Sequence, residues 1–173
     1  MDPVMLVLRI FHVVGGTLWV GSAFLLVRYV GPTANTLGPI GAPFMIEMFK
    51  ARRAARYVTS VALITVIAGW LMWFVDMGRY GGLEPWVTSP FGLALTIGGV
   101  LATIAAYFGI TGVGNNVEKL VHTADEVRAS GGPPTAEQGS RMQHLSQEIA
   151  RHGKIDIALV LLAVVAMATA RYW

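Results

Sequence analysis

The sequence predicts an all-α integral membrane protein: a four-helix bundle whose third and fourth helices continue beyond the bilayer as a cytoplasmic hairpin. Three observations carry this prediction. Of the 173 residues, 54% are hydrophobic and only 13% are charged, whereas soluble domains carry about a quarter charged residues. Mean hydropathy is +0.58. Residues 10–27, 58–75 and 85–117 contain no Asp, Glu, Lys or Arg, and apolar runs of about 18 residues or more read as transmembrane helices. A fourth run, Ile157–Ala170, reaches spanning length with its flanks from Gly153 to Trp173, and Asp156 is its one interior charge.

The chain 1–173 reads as one domain, with spans near 4–30, 55–77, 89–114 and 153–172 and a hairpin near 115–152. The N-terminal "MDPVMLVLR" has no basic lead and no A-x-A-like site follows it, so the first helix is expected to persist in the mature protein. "GPTANTLGPIGAP" then forms a turn-rich connection. In "FMIEMFKARRAAR", an apolar start precedes a basic cluster. This suits either a helix in the headgroup plane or an extension of the second span. The third span opens on Ser89 as cap and Pro90 in the first turn. Past the membrane, Val117, Leu120, Val121, Ala124 and Val127 keep helical spacing, and "SGGPP" forces a turn. Thr135 and Gln138 form a capping-box pattern that opens the last helix, which carries Met142, Leu145 and Ile149 on one side.

Ten of the 13 Lys and Arg residues lie in the two long connections, leaving Arg9, Arg79 and Arg171 on the other side. The positive-inside rule therefore places both long loops in the cytoplasm and both termini outside a bacterial inner membrane. Trp70, Trp73, Tyr80, Trp86, Tyr172 and Trp173 cluster toward the outer boundary, as an aromatic belt would. The net charge of +3 is explained by this topology and implies no nucleic-acid partner. With no cysteine, the chain can form no disulfide, thiolate metal site or covalent haem link.

Of the four histidines, His122, His144 and His152 belong to the hairpin or its boundary. His144 and His152 stand two turns apart and roughly 80° round the helix, too divergent to share a metal unaided. His12 differs, because an ionisable group inside a membrane helix is a functional-site hypothesis by default. His12, Gly16 and Trp19 follow one stripe. The space beside Gly16 suits either a flat macrocycle or a closely packed helix. Gly98, Ala102 and Ala106 form a small-residue face for packing within the bundle or for a homodimer seam. Asp156, near Arg151, His152 and Lys154, is expected to form an interfacial ion pair.

The spacing Arg9-x2-His12-x6-Trp19-x8-Arg28 resembles the first helix of the oxygen-independent bacterial membrane protoporphyrinogen oxidases, where a lysine takes the first place. That family is similar to the copper-resistance D-type and urate-oxidase-associated membrane domains. Over nearly its full length, including "SPFGLALTIGG" and "GGPP", the chain resembles small bacterial integral membrane proteins of unassigned function. The resemblance implies haem b, with His12 as an axial ligand to the iron. The oxidases also carry a lysine in their third membrane helix, whereas 85–117 is uncharged here. The cofactor is therefore expected more than the oxidase activity.

At the depth of His12 the sequence offers Met72, Met77 and Met167 as second ligands, and symmetry in a homodimer as an alternative. Arg9 and Arg79, with Arg171, are candidate partners for haem propionates. His152 stands about 25 Å from His12, too far to share one iron. The expected function is electron transfer or haem-dependent oxidoreductase chemistry near the outer face. Competing expectations are a non-catalytic subunit or assembly factor of a larger membrane complex and, last, a small transporter.

Overall fold

The computed structural model describes residues 2–172. Four long helices account for most of the chain: α1 (Pro3–Thr36), α2 (Ala54–Arg79), α3 (Pro90–Ser130) and α4 (Ala136–Tyr172). No strand occurs among the described residues. Each long helix contains an apolar stretch able to cross a membrane by length and composition. The all-α four-helix fold expected from the charge-free runs is the fold found.

Local chemistry sets the helix ends. Asp2 caps α1, accepting from the backbone N–H of Val4 at 2.9 Å, and Pro3 takes the first helical position. The Ser89 hydroxyl accepts from Gly92 N–H at 3.0 Å at the start of α3, ahead of Pro90. α4 opens on the reciprocal Thr135–Gln138 capping box, with bonds of 3.2 and 3.0 Å. Each device satisfies amide donors that would otherwise lack partners.

At 41 residues, α3 is about 60 Å long, twice the roughly 30 Å hydrocarbon thickness. It and α4 therefore run on as an antiparallel hairpin, which turns where Gly131 adopts a left-handed conformation (φ 68°). Val117, Thr123 and Leu145 are buried there. This is called the hairpin end below; the end bearing both chain termini is the terminal end.

Between α1 and α2, residues 41–51 form a helix of their own. Arg53, left-handed at φ 52°, separates it from α2. The segment through Lys50 is therefore a helix of its own, Arg52 and Arg53 form the break, and Arg56 already belongs to α2. Lys50 Nζ meets Asp125 at 2.7 Å and ties this loop helix to α3.

α1 packs chiefly on α2 and α3 on α4, with α2 joining the two pairs. Lipid tails are as apolar as leucine, so burial cannot drive helix association in a bilayer and close packing must do so. The seams accordingly place glycine under a neighbour's side chain. A Cβ on Gly15 would stand 2.7 Å from Thr65 Oγ1, and one on Gly98 would stand 2.6 Å from Met167 Cγ. The small-residue face of α3 is thus occupied by α4 within the bundle. At mid-height Trp19, Ala23, Val61, Ala62, Ala105, Ala106 and Val160 form the central apolar layer. Phe11, Leu18, Ile67 and Phe74 face outward, where a bilayer would cover them.

Three of the tryptophans expected near the outer boundary make contacts between helices. Trp70 and Trp73 donate through Nε1 to Thr103 and Thr96 at 2.9 and 2.8 Å, stitching α2 to α3. Trp86, on the short helix Leu83–Thr88, is fully buried against Trp73, Tyr80 and Phe91. The cause is the turn at Gly81 and Gly82 (φ 87° and 125°), which folds that helix back so that Gly92 lies directly beneath Trp86. Tyr80 and Tyr172 are exposed; Trp173 lies outside the described residues.

Overpacking a seam should cost about 1–3 kcal/mol. Gly15→Val and Gly98→Leu are expected to destabilise the bundle by that amount in denaturant unfolding of detergent-solubilised protein. Gly21→Ala, where a Cβ meets nothing within 4 Å, should be close to neutral.

Candidate functional site

Two places in the bundle bear on chemistry, in opposite halves. The first is His12 in the α1–α2 seam. Its Nδ1 lies 2.9 Å from the backbone oxygen of Thr65, and its ring rests on Gly69, where a Cβ would stand 2.9 Å from Cε1. A carbonyl oxygen can only accept, so Nδ1 carries the proton and neutral His12 keeps its lone pair on Nε2. Gly15 and Gly16 face Thr65, and Thr65 Cγ2 stands 3.4 Å from where a Gly16 Cβ would be. Of the two uses open to the space beside Gly16, the neighbouring helix takes it. Trp19, 2% exposed, belongs to the central layer.

The remaining residues expected around a haem are dispersed. The contacts His12–Gly69 and Asp2–Arg79 set the antiparallel register of α1 on α2. In that register Met72 lies about 4.5 Å along the axis from the level of His12, and Met77 about 12 Å, beyond reach of a shared iron. Met167 is packed into the α3–α4 seam against Gly98. Arg79 is held by Asp2 at 2.6 Å and by Asp76 at 3.3 Å. Arg9 is exposed and makes no ion pair among the described residues. No cluster of three His, Asp or Glu side chains able to hold a metal occurs among the described residues.

The second place is a cavity of about 560 Å³ in the hairpin half. Its deep end is Trp19 and Ala23; Met45 and Phe49 of the loop helix close one side. Three segments of π-helix border it: Leu26–Val30, Glu47–Ala51 and Phe108–Gly114. A π turn adds a residue to a helical turn while keeping the backbone bonded, so it widens the helix and redirects side chains, frequently at functional sites. The lining has no histidine, tyrosine or cysteine.

Asp156 of α4 lines this cavity at 5% exposure, and its Oδ1 has no hydrogen-bond partner. This overturns the expected interfacial ion pair. Arg151 meets Glu148 at 3.9 Å. His152 turns its Nδ1 to Glu148 O at 2.8 Å and packs on Gly112. Lys154 is exposed at the cavity lining. Among the described residues no cation lies within 4 Å of the carboxyl. Opposite it stands Gly109, where a Cβ would be 3.4 Å from Oδ1, so α3 offers no side chain there. The sequence signal was present in the single acid of the fourth span, but its three basic neighbours masked it. Of the hairpin histidines, His122 pairs with Glu126 at 3.1 Å in the open, and His144 is exposed.

Nitrogen-15 NMR of ring-labelled His12 at neutral pH is expected to show the Nδ1–H tautomer. A dominant Nε2–H signal in the native protein would refute the assigned bond. No family model, curated protein or solved structure matches the chain.

Proposed function

We propose that this is a membrane-embedded binding protein that receives a membrane-soluble small molecule in the cavity of its hairpin half, as a carrier or as the ligand-binding subunit of a larger membrane assembly. One observation carries the reading: Asp156 Oδ1, buried and without a partner among the described residues, borders a cavity of about 560 Å³ with a mostly apolar lining. Buried charges are normally paired, and this volume falls in the range of small-molecule sites. The basic residues gathered at the hairpin end favour that end as cytoplasmic, in a bacterial inner membrane with both termini outside. The cavity would then open toward the inner leaflet.

A membrane-soluble photoreactive diazirine probe should label peptides bearing Phe49 and Val113 in excess of the outward-facing Phe11 and Ile67. Gly109→Phe, which fills the space before Asp156, should reduce that labelling several-fold. Equal labelling of cavity and outer surface would overturn the reading.

A second reading is favoured by the His12–Thr65 bond. Histidines that bind metals typically donate their other ring N–H to a backbone carbonyl or a carboxylate, which fixes the tautomer and raises basicity. His12 has this arrangement, so its Nε2 would be the atom to hold a haem b iron, with the macrocycle placed elsewhere than beside Gly16, where Thr65 packs. Of the methionines on α2, Met72 is nearer than Met77 to the level of His12 and would be the candidate second ligand, and Arg9, exposed and without an ion pair among the described residues, would suit a propionate. Haem would supply one-electron chemistry near the outer face, and a second copy of the chain is the alternative source of a second ligand. Purified protein from haem-sufficient cells should show a Soret band that His12→Ala abolishes; colourless wild-type protein would dispose of this reading.

A further inference from the structure

We infer that the occupant of the hairpin-half cavity is a lipophilic monocation, an ammonium- or phosphonium-type head on an apolar body, with Asp156 as its counter-charge. The inference rests on the cavity reading above and names the chemistry of its ligand.

On α4 itself, Arg151 and His152 are directed to Glu148, and Lys154 is exposed. The span of α3 is uncharged from Pro85 to Val117, that of α1 from Ile10 to Val27, and that of α2 from Val58 to Val75. Arg28 and Arg56 are exposed, and Lys50 of the loop helix is bound to Asp125. Among the described residues no cation pairs with Asp156: Lys154 also borders the cavity but is exposed and makes no ion pair with it, and the helix facing the carboxyl contributes a glycine.

The remaining candidates fail on chemistry. A divalent metal needs several oxygen or nitrogen donors, and one carboxyl with no neighbouring His, Asp or Glu cluster does not provide them. An anion would meet like charge in a low-dielectric setting. An apolar neutral molecule would leave Oδ1 as unsatisfied as before, and a neutral hydrogen-bond donor would satisfy Oδ1 but leave the buried charge uncompensated. A single positive charge satisfies the carboxylate, and the apolar walls accept the rest of the ligand. Trp19 and Phe49 belong to the lining, and aromatic rings attract cations over their faces.

The test uses three probes of closely related shape on the full-length purified protein: tetraphenylphosphonium, tetraphenylborate and neutral triphenylphosphine oxide. Tetraphenylphosphonium should bind saturably at one site per chain. Asp156→Asn should weaken it at least tenfold, and tetraphenylborate should fail to compete. The ligand-free Asp156→Asn protein should be at least as heat-stable as wild type, because it loses only an unpartnered buried carboxyl. A large fall in Tm would mean that Asp156 holds the fold together through a protein partner, which overturns the inference. Saturable binding of the oxide or the borate, lost in Gly109→Phe, without phosphonium binding would overturn the charge assignment and leave the cavity standing. No saturable binding of any probe would overturn both.

Discussion

The structure depends on glycine at the helix seams. Inside a bilayer, apolar side chains gain little by leaving lipid for protein, so four helices hold together only where their surfaces interlock. Gly69 receives the His12 ring, Gly98 receives Met167, Gly112 receives His152 and Gly153 receives Val27. These contacts fix the register of each helix pair and thereby the depth of every polar group. Gly109 breaks the series. It faces a carboxylate at ordinary van der Waals distance, and no apolar knob fills the space. The same rule that packs the bundle thus also marks the place where packing is withheld.

That gap persists because the backbone around it stays bonded. Any break in a membrane helix leaves amide groups without water to satisfy them. The π turns at Leu26–Val30 and Phe108–Gly114 avoid that cost by keeping a hydrogen-bond ladder through a wider turn. They widen α1 and α3 at the same level, on either side of α4. The loop helix then closes the flank with Met45 and Phe49 and is held by an exposed ion pair, Lys50–Asp125. Exposed pairs contribute at most about 1 kcal/mol, so this wall is the most easily displaced of those around the cavity.

The spans and caps were legible because they depend on local rules. Charge-free runs give spans, and Ser89–Pro90 and Thr135–Gln138 announce helix starts without reference to any neighbour. Asp156 was misread because proximity in sequence is not proximity on a helix. At about 100° per residue, Lys154 starts about 160° round the helix from it and Arg151 about 140°, and neither pairs with it although Lys154 also borders the cavity. His152 shares its face, yet its ring is held on Gly112. The cavity was not legible at all. It arises from π turns, whose only trace in composition is the glycine-rich "FGITGVG". The His12 stripe was legible as a pattern, but nothing local could say that Thr65 would occupy the space beside Gly16.

The relation between the two halves bears on which kind of function the fold can support. Trp19 belongs to the central apolar layer and also floors the cavity; His12 lies about 10 Å above it along α1. The hydroxyls that could have made a polar track through this layer are engaged. Thr65 donates to Val61 O at 2.7 Å, Thr96 to Gly92 O at 2.7 Å and Thr103 to Gly99 O at 2.8 Å. Thr96 and Thr103 also accept from Trp73 and Trp70. An ion crossing from the cavity to the terminal end would meet alanine, valine and tryptophan with no donor or acceptor to replace its hydration. The cavity is thus blind toward the terminal end. On the proposed reading, a ligand would enter and leave through the hairpin half, past the loop helix or from the surrounding lipid.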